Sequence, residues 1–248
     1  MNTIRREKIR QYVDEHGVAT LPQLCVLCPG VSLMTIHRDL SHLEGQGLLV
    51  KIRGGARCVS DHSGEPAFAA RDIVNRTAKQ IIAGKALQFL QGHASVFIDA
   101  GTTMMAFARQ VPDMQANVVT TGPNIALELA GRPSLAISLC GGMLNKSNLT
   151  LSGDAAVESL SHINIDIAFI AAAGYSKGAG FTCGMESEAR IKRLVIQKAR
   201  TRIMMMDSSK LEKLLPYTFA DIRDFDRIIT DLDGNDFIAF SPKNEQSE

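Results

Sequence analysis

Apolar residues recur at helical spacing over the first 16 positions, shift to short strand-like runs near residue 50, then alternate between the two periods to about residue 230. Ile4, Ile9, Tyr12 and Val13 share one face of a helix over 3–16, ringed by Arg5, Arg6, Lys8 and Arg10 and stopped by Gly17. Thr20 is placed to cap a second helix over 21–28 with Pro22 in its first turn; Pro29-Gly30-Val31 breaks it. Ser32 then caps a third helix with Ile36, Leu40 and Leu43 at helical spacing, ended by Gly45 and Gly47. Residues 48–52 read as a strand entering a Gly54-Gly55 turn, and 56–59 as its return. Three helices and a glycine-turned hairpin predict a winged helix-turn-helix over 1–59.

A small, polar stretch over 60–70 reads as a linker, and a long helix is expected over 71–90, with Ile73, Ala78, Ile81, Ile82, Ala86, Phe89 and Leu90 apolar. Strand-like runs follow at 95–99, 118–121, 135–139, 165–172, 202–206 and 227–230, with helical patterns at 104–111, 124–130, 155–160 and 186–199 between most of them. Such alternation predicts an α/β domain over 71–248, built on a mostly parallel sheet with helices on both faces. Ligands bind beyond the carboxyl ends of the strands in such sheets.

Charge sharpens the division. The chain of 248 residues has a net charge of +1, but residues 1–60 carry a balance of +3 and the remainder one of −2, which points to different partners for the two parts. No apolar run approaches the roughly 20 residues of a membrane span, and the polar N-terminus has no signal-peptide core behind it, so a cytoplasmic setting and no membrane partner are expected. Five cysteines, an odd number thinly spread, do not form a disulfide framework. Cys25 and Cys28 form a lone Cys-x-x-Cys; a zinc site needs about four ligands, so no metal is assigned and Cys25 is read as a core residue.

The third helix is the expected major-groove reader, with Ser32, Met34, Thr35, His37, Arg38, Ser41 and His42 toward DNA. Arg38 suits guanine or phosphate, Thr35 either, and Met34 a thymine methyl. Lys51, Arg53 and Arg57 on the hairpin suit phosphate. The segments Ser32-Leu33-Met34-Thr35-Ile36-His37-Arg38-Asp39-Leu40, Leu43-Glu44-Gly45-Gln46-Gly47-Leu48-Leu49 and Gly54-Gly55-Ala56 resemble the DNA-binding domain of DeoR-family bacterial regulators. That family's motif has two arginines before Asp-Leu; His37 stands in the first of those positions.

In the body, Val96-Phe97-Ile98-Asp99-Ala100-Gly101-Thr102-Thr103 has the grammar of a strand, a tight turn and a helix start, which aims backbone N–H groups and the helix dipole at one spot suited to phosphate. The other strand ends carry Thr120-Thr121, Gly141-Gly142, Ala173-Gly174 and Asp207-Ser208-Ser209-Lys210. Glycines and hydroxyls suit phosphate and carboxylates suit sugar hydroxyls, with Lys210 placed to meet the phosphate, Asp99 or Asp207. Gly178 to Gly184 has the wrong spacing for a dinucleotide fingerprint and reads as a surface loop over the pocket.

Phe97 to Thr103, Gly141-Gly142-Met143-Leu144, Ala168-Phe169-Ile170, Gly180-Phe181-Thr182 and Asp207 to Lys210 resemble the DeoR-family effector domain, in order, over about residues 4–231 of the chain. That domain is similar in fold to sugar-phosphate isomerases. The resemblance implies a phosphorylated sugar or polyol as effector and places Asp99, Gly101, Thr102, Thr103, Gly141, Gly142, Asp207 and Lys210 in its pocket; Thr121 joins them from its strand end. It departs from the family pattern at Thr121, Ala171 and Asp154, the first of which removes an amide from the rim.

The expectation is a sequence-specific transcriptional regulator, a repressor in the commoner case, of a carbohydrate-utilisation operon. Its DNA grip would be governed by the effector, and it would act as a homodimer or homotetramer on operator DNA, without catalytic residues or cofactor. The alternative is a sugar-phosphate isomerase or deaminase with an appended DNA-binding domain, using Asp99 or Asp207 as acid or base. A nucleotide-binding signalling module is disfavoured, because no full nucleotide fingerprint is present.

Overall fold

The computed structural model of the chain describes residues 2–16, 18–46, 48–57, 67–90 and 92–232. They divide between two compact units that meet in sequence at Val74 and Asn75.

The first unit comprises α1 (Asn2–His16), β1 (Val18–Thr20), α2 (Leu21–Leu27), α3 (Leu33–Gly45), β2 (Val50–Ile52), β3 (Gly55–Arg57) and α4 (Phe68–Ile73). Ile9 and Val13 of α1, Leu24 of α2, Ile36, Leu40 and Leu43 of α3, and Ala56 of the hairpin form its core. Ile4, expected on the buried face of α1, is exposed; five residues before Ile9, it is rotated about 140° away. A reciprocal capping box starts α2, with Thr20 N–H donating to Gln23 Oε1 at 2.8 Å and Gln23 N–H to the Thr20 hydroxyl. The hydrophobic pattern gives no sign of β1, which pairs with β3 in a three-stranded antiparallel sheet, order β1-β3-β2. Three residues are too few to show a period of two. Gly17, Gly47, the return strand beyond Arg57 and the linker up to residue 66 lie outside the described residues.

Two buried charges tie this unit together. Asp39 of α3, 1% exposed, accepts from Nε of Arg5 at 2.6 Å and Nε of Arg6 at 2.7 Å. Burial alone would push its carboxyl pKa up, but the two guanidiniums outweigh that and hold it below the usual carboxylate range. Arg10 is buried among Glu7, Asp14 and the carbonyl of Ala70, the last at 3.2 Å, which fastens α4 to α1.

The helix expected over 71–90 is two helices. Val74 is extended and Asn75 adopts φ +54°, so α4 ends and α5 (Arg76–Leu87) starts afresh. Asparagine is among the few residues besides glycine that enter the left-handed region readily.

The second unit continues with β4 (Ser95–Ile98), α6 (Thr102–Ala108), β5 (Ala116–Thr120), α7 (Pro123–Leu129), β6 (Leu135–Leu139), β7 (Met143–Asn145), β8 (Thr150–Ser152), α8 (Asp154–Ser161) and β9 (Ile165–Ala171). It ends with β10 (Gly174–Ser176), β11 (Gly180–Cys183), α9 (Glu186–Lys198), β12 (Ala199–Met205), β13 (Tyr217–Ala220) and β14 (Arg227–Ile229). Six strands form a parallel sheet in the order β14-β12-β9-β4-β5-β6. Alternate residues serve opposite layers. Val96, Ile98, Ile167, Phe169, Ile203 and Met205 join the core with α5, α6 and α7; Phe97, Ala168, Ile170 and Met204 join that with α8 and α9. No helix among the described residues is long and apolar enough to cross a membrane.

The stretch expected as a surface loop near 178–184 is instead strand β11, buried at every residue between β10 and β13. Phe181 meets Tyr175, Phe219 and Phe225 there, with ring centroids 4.9, 6.4 and 5.2 Å away. The neighbouring glycines mark its turn and mask the short strand.

Candidate functional site

On α3, burial of Ile36, Asp39, Leu40 and Leu43 turns the opposite stripe outward. Met34, Arg38, Ser41 and His42, at helical spacing from one another, are exposed, while Thr35 and His37 are half-buried at its margins. Ser32 caps the helix, accepting from Thr35 N–H at 3.3 Å and pairing its hydroxyl with that of Thr35 at 3.0 Å. Ser41 donates to the carbonyl of His37 at 2.9 Å and accepts from the Lys51 ammonium at 2.9 Å, so these two candidates brace the hairpin against α3. Arg53 at the hairpin turn and Arg57 on β3 are exposed. The stripe and hairpin offer the cations and hydroxyls that a duplex groove takes.

In the second unit, β4 and β9 are neighbours at the middle of the sheet. From β4 the chain steps outward to β5 and β6, whereas from β9 it steps the other way to β12 and β14. Such a reversal makes the carboxyl ends of β4 and β9 the switch point, the usual ligand position of such sheets.

Asp99 closes β4. Its carboxylate accepts Ala100 N–H at 2.9 Å, Ala171 N–H from the end of β9 at 3.1 Å, and the ammonium of Lys192 on α9. Lys192 also donates to the carbonyl of Ala171 at 2.9 Å. Burial by itself would lower the Lys192 pKa, but Asp99, aided by Glu188 and Cys183, outweighs it, and the net shift is upward. The ammonium therefore stays charged. Lys210 was expected to meet the phosphate, Asp99 or Asp207; the cation the structure puts beside Asp99 is Lys192, because α9 packs over β9 and projects it at the strand end.

Gly101 begins α6 at φ +116°, where a side chain is strained, and Thr102 and Thr103 are buried in the first turn. The leading N–H groups of any helix lack intrahelical acceptors and favour an anion. Thr121, after β5, is buried and ties its carbonyl to Leu151 N–H at 2.8 Å, and its hydroxyl has no partner among the described residues. Gly142 holds φ +125°, and a Cβ there would lie 2.4 Å from the carbonyl oxygen of Ser152, so it lets the β7–β8 hairpin close; Gly141 is exposed.

Asp207, buried after β12, caps the turn Ser208–Lys210 through Ser209, and takes the side-chain amide of Asn75 at 3.1 Å. That amide also donates to the Ser209 hydroxyl at 2.9 Å. The residue that opens α5 is therefore fastened to the strand-end loop. Lys210 ends that turn, half-buried.

Asp99, Gly101 to Thr103 and Thr121 thus stand on adjacent strand ends. Gly141-Gly142 and Asp207-Lys210 lie on opposite flanks, following strands four positions apart, roughly 19 Å at the usual strand spacing.

Three residues at the centre escaped the sequence reading: Lys192, Glu188 and Asn148. Asn148, in the β7–β8 turn and 6% exposed, donates its amide to Glu188 on α9, and its Oδ1 has no partner among the described residues. Glu188 and Lys192 sit one turn apart on α9. The missed signal is a lysine at an apolar-face position, three residues after Ala189 and four before Ile196, both buried.

A three-helix reader with a hairpin, joined to a parallel α/β unit with a polar crevice at its switch point, defines a DNA-binding transcription regulator that carries its own sensor. The chain belongs to the DeoR family: residues 5–62 match the DeoR-like helix-turn-helix domain and 74–232 the DeoR C-terminal sensor domain. The transcriptional repressor GlcR of Bacillus subtilis is 32% identical over 223 residues, 90% of this chain and 86% of its own. The L-fucose operon activator of Haemophilus influenzae is 30% identical over 227 residues, 92% and 91% of the two chains. Among solved structures, a D-ribose-5-phosphate isomerase in complex with phospho-erythronic acid aligns loosely, at 18% identity and a TM-score of 0.39 over 55% of this chain and 54% of its own.

Proposed function

We propose that the protein represses a carbohydrate-utilisation operon, that residues 1–59 hold operator DNA, and that a phosphorylated sugar or polyol bound at the β4/β9 crevice loosens that hold. The observation that carries this reading is the crevice itself, where a helix start with Gly101, Thr102 and Thr103 for phosphate adjoins the buried polar set of Asp99, Lys192, Glu188 and Asn148. The fucose-operon relative supports the carbohydrate setting; it is an activator and GlcR a repressor, so the sign of regulation is what the test must decide.

Coupling needs the sensor's state to reach the reader. Within the first unit Arg10 grips the helix that ends at Ile73, and within the second Asn75 grips the loop of Asp207 and Ser209. Val74 alone separates those two anchored segments. A ligand that shifts the 207–210 loop therefore shifts the start of the chain leading to the reader. The family's members act as homo-oligomers in this reading, each copy taking one half-site of the operator.

Catalysis is disfavoured by how the candidate acids are spent. Asp99 accepts two backbone amides and an ammonium, and Asp207 caps a turn, so both serve as fixed acceptors rather than as groups poised to move a proton.

The test is paired. A DNA site selected from a random pool by the full-length protein supplies the operator probe, and a panel of phosphorylated and unphosphorylated sugars is screened for a rise in melting temperature. The reading predicts that phosphorylated compounds alone stabilise, and that the stabilising compound releases the DNA. Turnover of a sugar phosphate that Asp207→Ala abolishes would establish the enzyme instead.

A further inference from the structure

We propose that Asn148, held by Glu188, reads a neutral hydroxyl of the ligand at the end away from its phosphate, so that the effector is an alditol, aldose or ketose phosphate and not a phosphorylated sugar acid. This rests on the reading of the crevice as a sugar-phosphate site, and adds what its inner end selects.

The amide of Asn148 is oriented by its partner. A carboxylate only accepts, so the edge that meets Glu188 is the NH₂ edge, and the carbonyl Oδ1 points elsewhere. Oδ1 is buried without a partner among the described residues, as is the hydroxyl of Thr121, to whose carbonyl the next strand, β8, is tied through Leu151. The side-chain carbonyl of Asn124, at the start of α7 after the same strand end as Thr121, is a third buried unmatched oxygen. Buried acceptors without donors are rare and call for a bound group that supplies them. Two of these three oxygens only accept, and the third is a hydroxyl that can do so.

The charges nearby set the class of that group. Asp99 and Glu188 contribute two negative charges and Lys192 one positive, and two of the ammonium's three N–H donors go to Asp99 and the Ala171 carbonyl. A ligand carboxylate would face Asn148 Oδ1 acceptor against acceptor, beside the charge of Glu188. A hydroxyl supplies the missing donor and adds no charge. On the reading proposed above, phosphate is taken by the turn of Gly101 to Thr103.

The experiment uses the full-length protein and matched pairs that differ at one carbon: glucitol 6-phosphate and glucose 6-phosphate against 6-phosphogluconate, and ribitol 5-phosphate and ribose 5-phosphate against 5-phosphoribonate, with inorganic phosphate as the probe of the phosphate end alone. Affinities are read by calorimetry and thermal shift. The neutral member of a pair, which presents a hydroxyl there (the anomeric one in a cyclised aldose), should bind roughly ten- to hundredfold more tightly than its acid. Asn148→Leu, close in size, should erase that preference; Asn148→Asp should weaken the neutral member further. An acid that binds as well as its neutral partner overturns the proposal while leaving the phosphorylated-sugar reading in place. If the leucine variant fails to fold, the matched pairs on the native protein still decide. Binding by none of the phosphorylated compounds overturns both readings.

Discussion

In the DNA-binding unit the buried carboxylate of Asp39 is met by two guanidiniums, Arg5 and Arg6, one on each oxygen; in the sensor the buried carboxylate of Asp99 meets Lys192, and one turn away on α9 Glu188 holds Asn148, whose Oδ1 nothing among the described residues answers. Both groups lie inside their units, and both join helices to other elements. The first is closed and does structural work, pinning α1 to the reader helix. The second is left open at one end, which a protein tolerates where a ligand completes it.

The largest effect that would break this comparison comes from Lys192→Met. Asp99 would remain buried with no cation, and the sensor should lose about 4 kcal/mol of stability together with its response to ligand, read as a separate transition in denaturant melts. A sensor of unchanged stability would mean the pair carries little. Next, Asp39→Ala should cost the reader about 3 kcal/mol, since two guanidiniums lose their acceptor. The same residue sets a pH limit. Because its folded pKa lies below its ordinary value, its stabilisation is present above roughly pH 4 and disappears as pH falls through the lower folded value. Asp39→Asn should flatten that acid limb, and an unaltered acid melt would remove the ion pair from the account.

How much of this was legible in the sequence depends on what makes each feature repeat. The reader's helices and the six sheet strands announce themselves, because each spans enough residues for its period to show, and the two capping residues Thr20 and Ser32 sit where their chemistry requires. The split of the 71–90 helix did not show, since Asn75 in the left-handed region looks like any polar helix residue until the backbone is seen. Nor did β1, β10 and β11, which are three or four residues long. At the candidate site, strand-end motifs single out Asp99, Gly101, Thr102 and Thr103, because local grammar marks them. Lys192, Glu188 and Asn148 reach the crevice from α9 and a hairpin far along the chain, so only the packing of α9 over β9 brings them there.

Smaller effects sharpen the contrast between a closed reader and an open sensor. Arg38 is exposed on the α3 stripe, so Arg38→Ala should weaken DNA binding by about 1–3 kcal/mol and leave the melting temperature within error. Binding unchanged in an anisotropy titration would move the reading surface off α3. Asn75→Gly keeps the left-handed backbone but removes the amide that holds Asp207 and Ser209. Stability should change by about 1 kcal/mol or less, and DNA affinity without ligand should stay put. The ligand's effect on DNA should shrink several-fold. Full ligand response in that variant would cut Asn75 out of the coupling.

Whether a phosphorylated sugar at the β4/β9 switch point decides if the reader holds DNA is measured by titrating the selected DNA site with full-length protein at rising concentrations of the stabilising compound. The Kd for DNA should rise at least about tenfold, a coupling of roughly 1.4 kcal/mol, and saturate at the ligand concentration that saturates the thermal shift. A Kd for DNA that stays constant while the ligand site fills would contradict it.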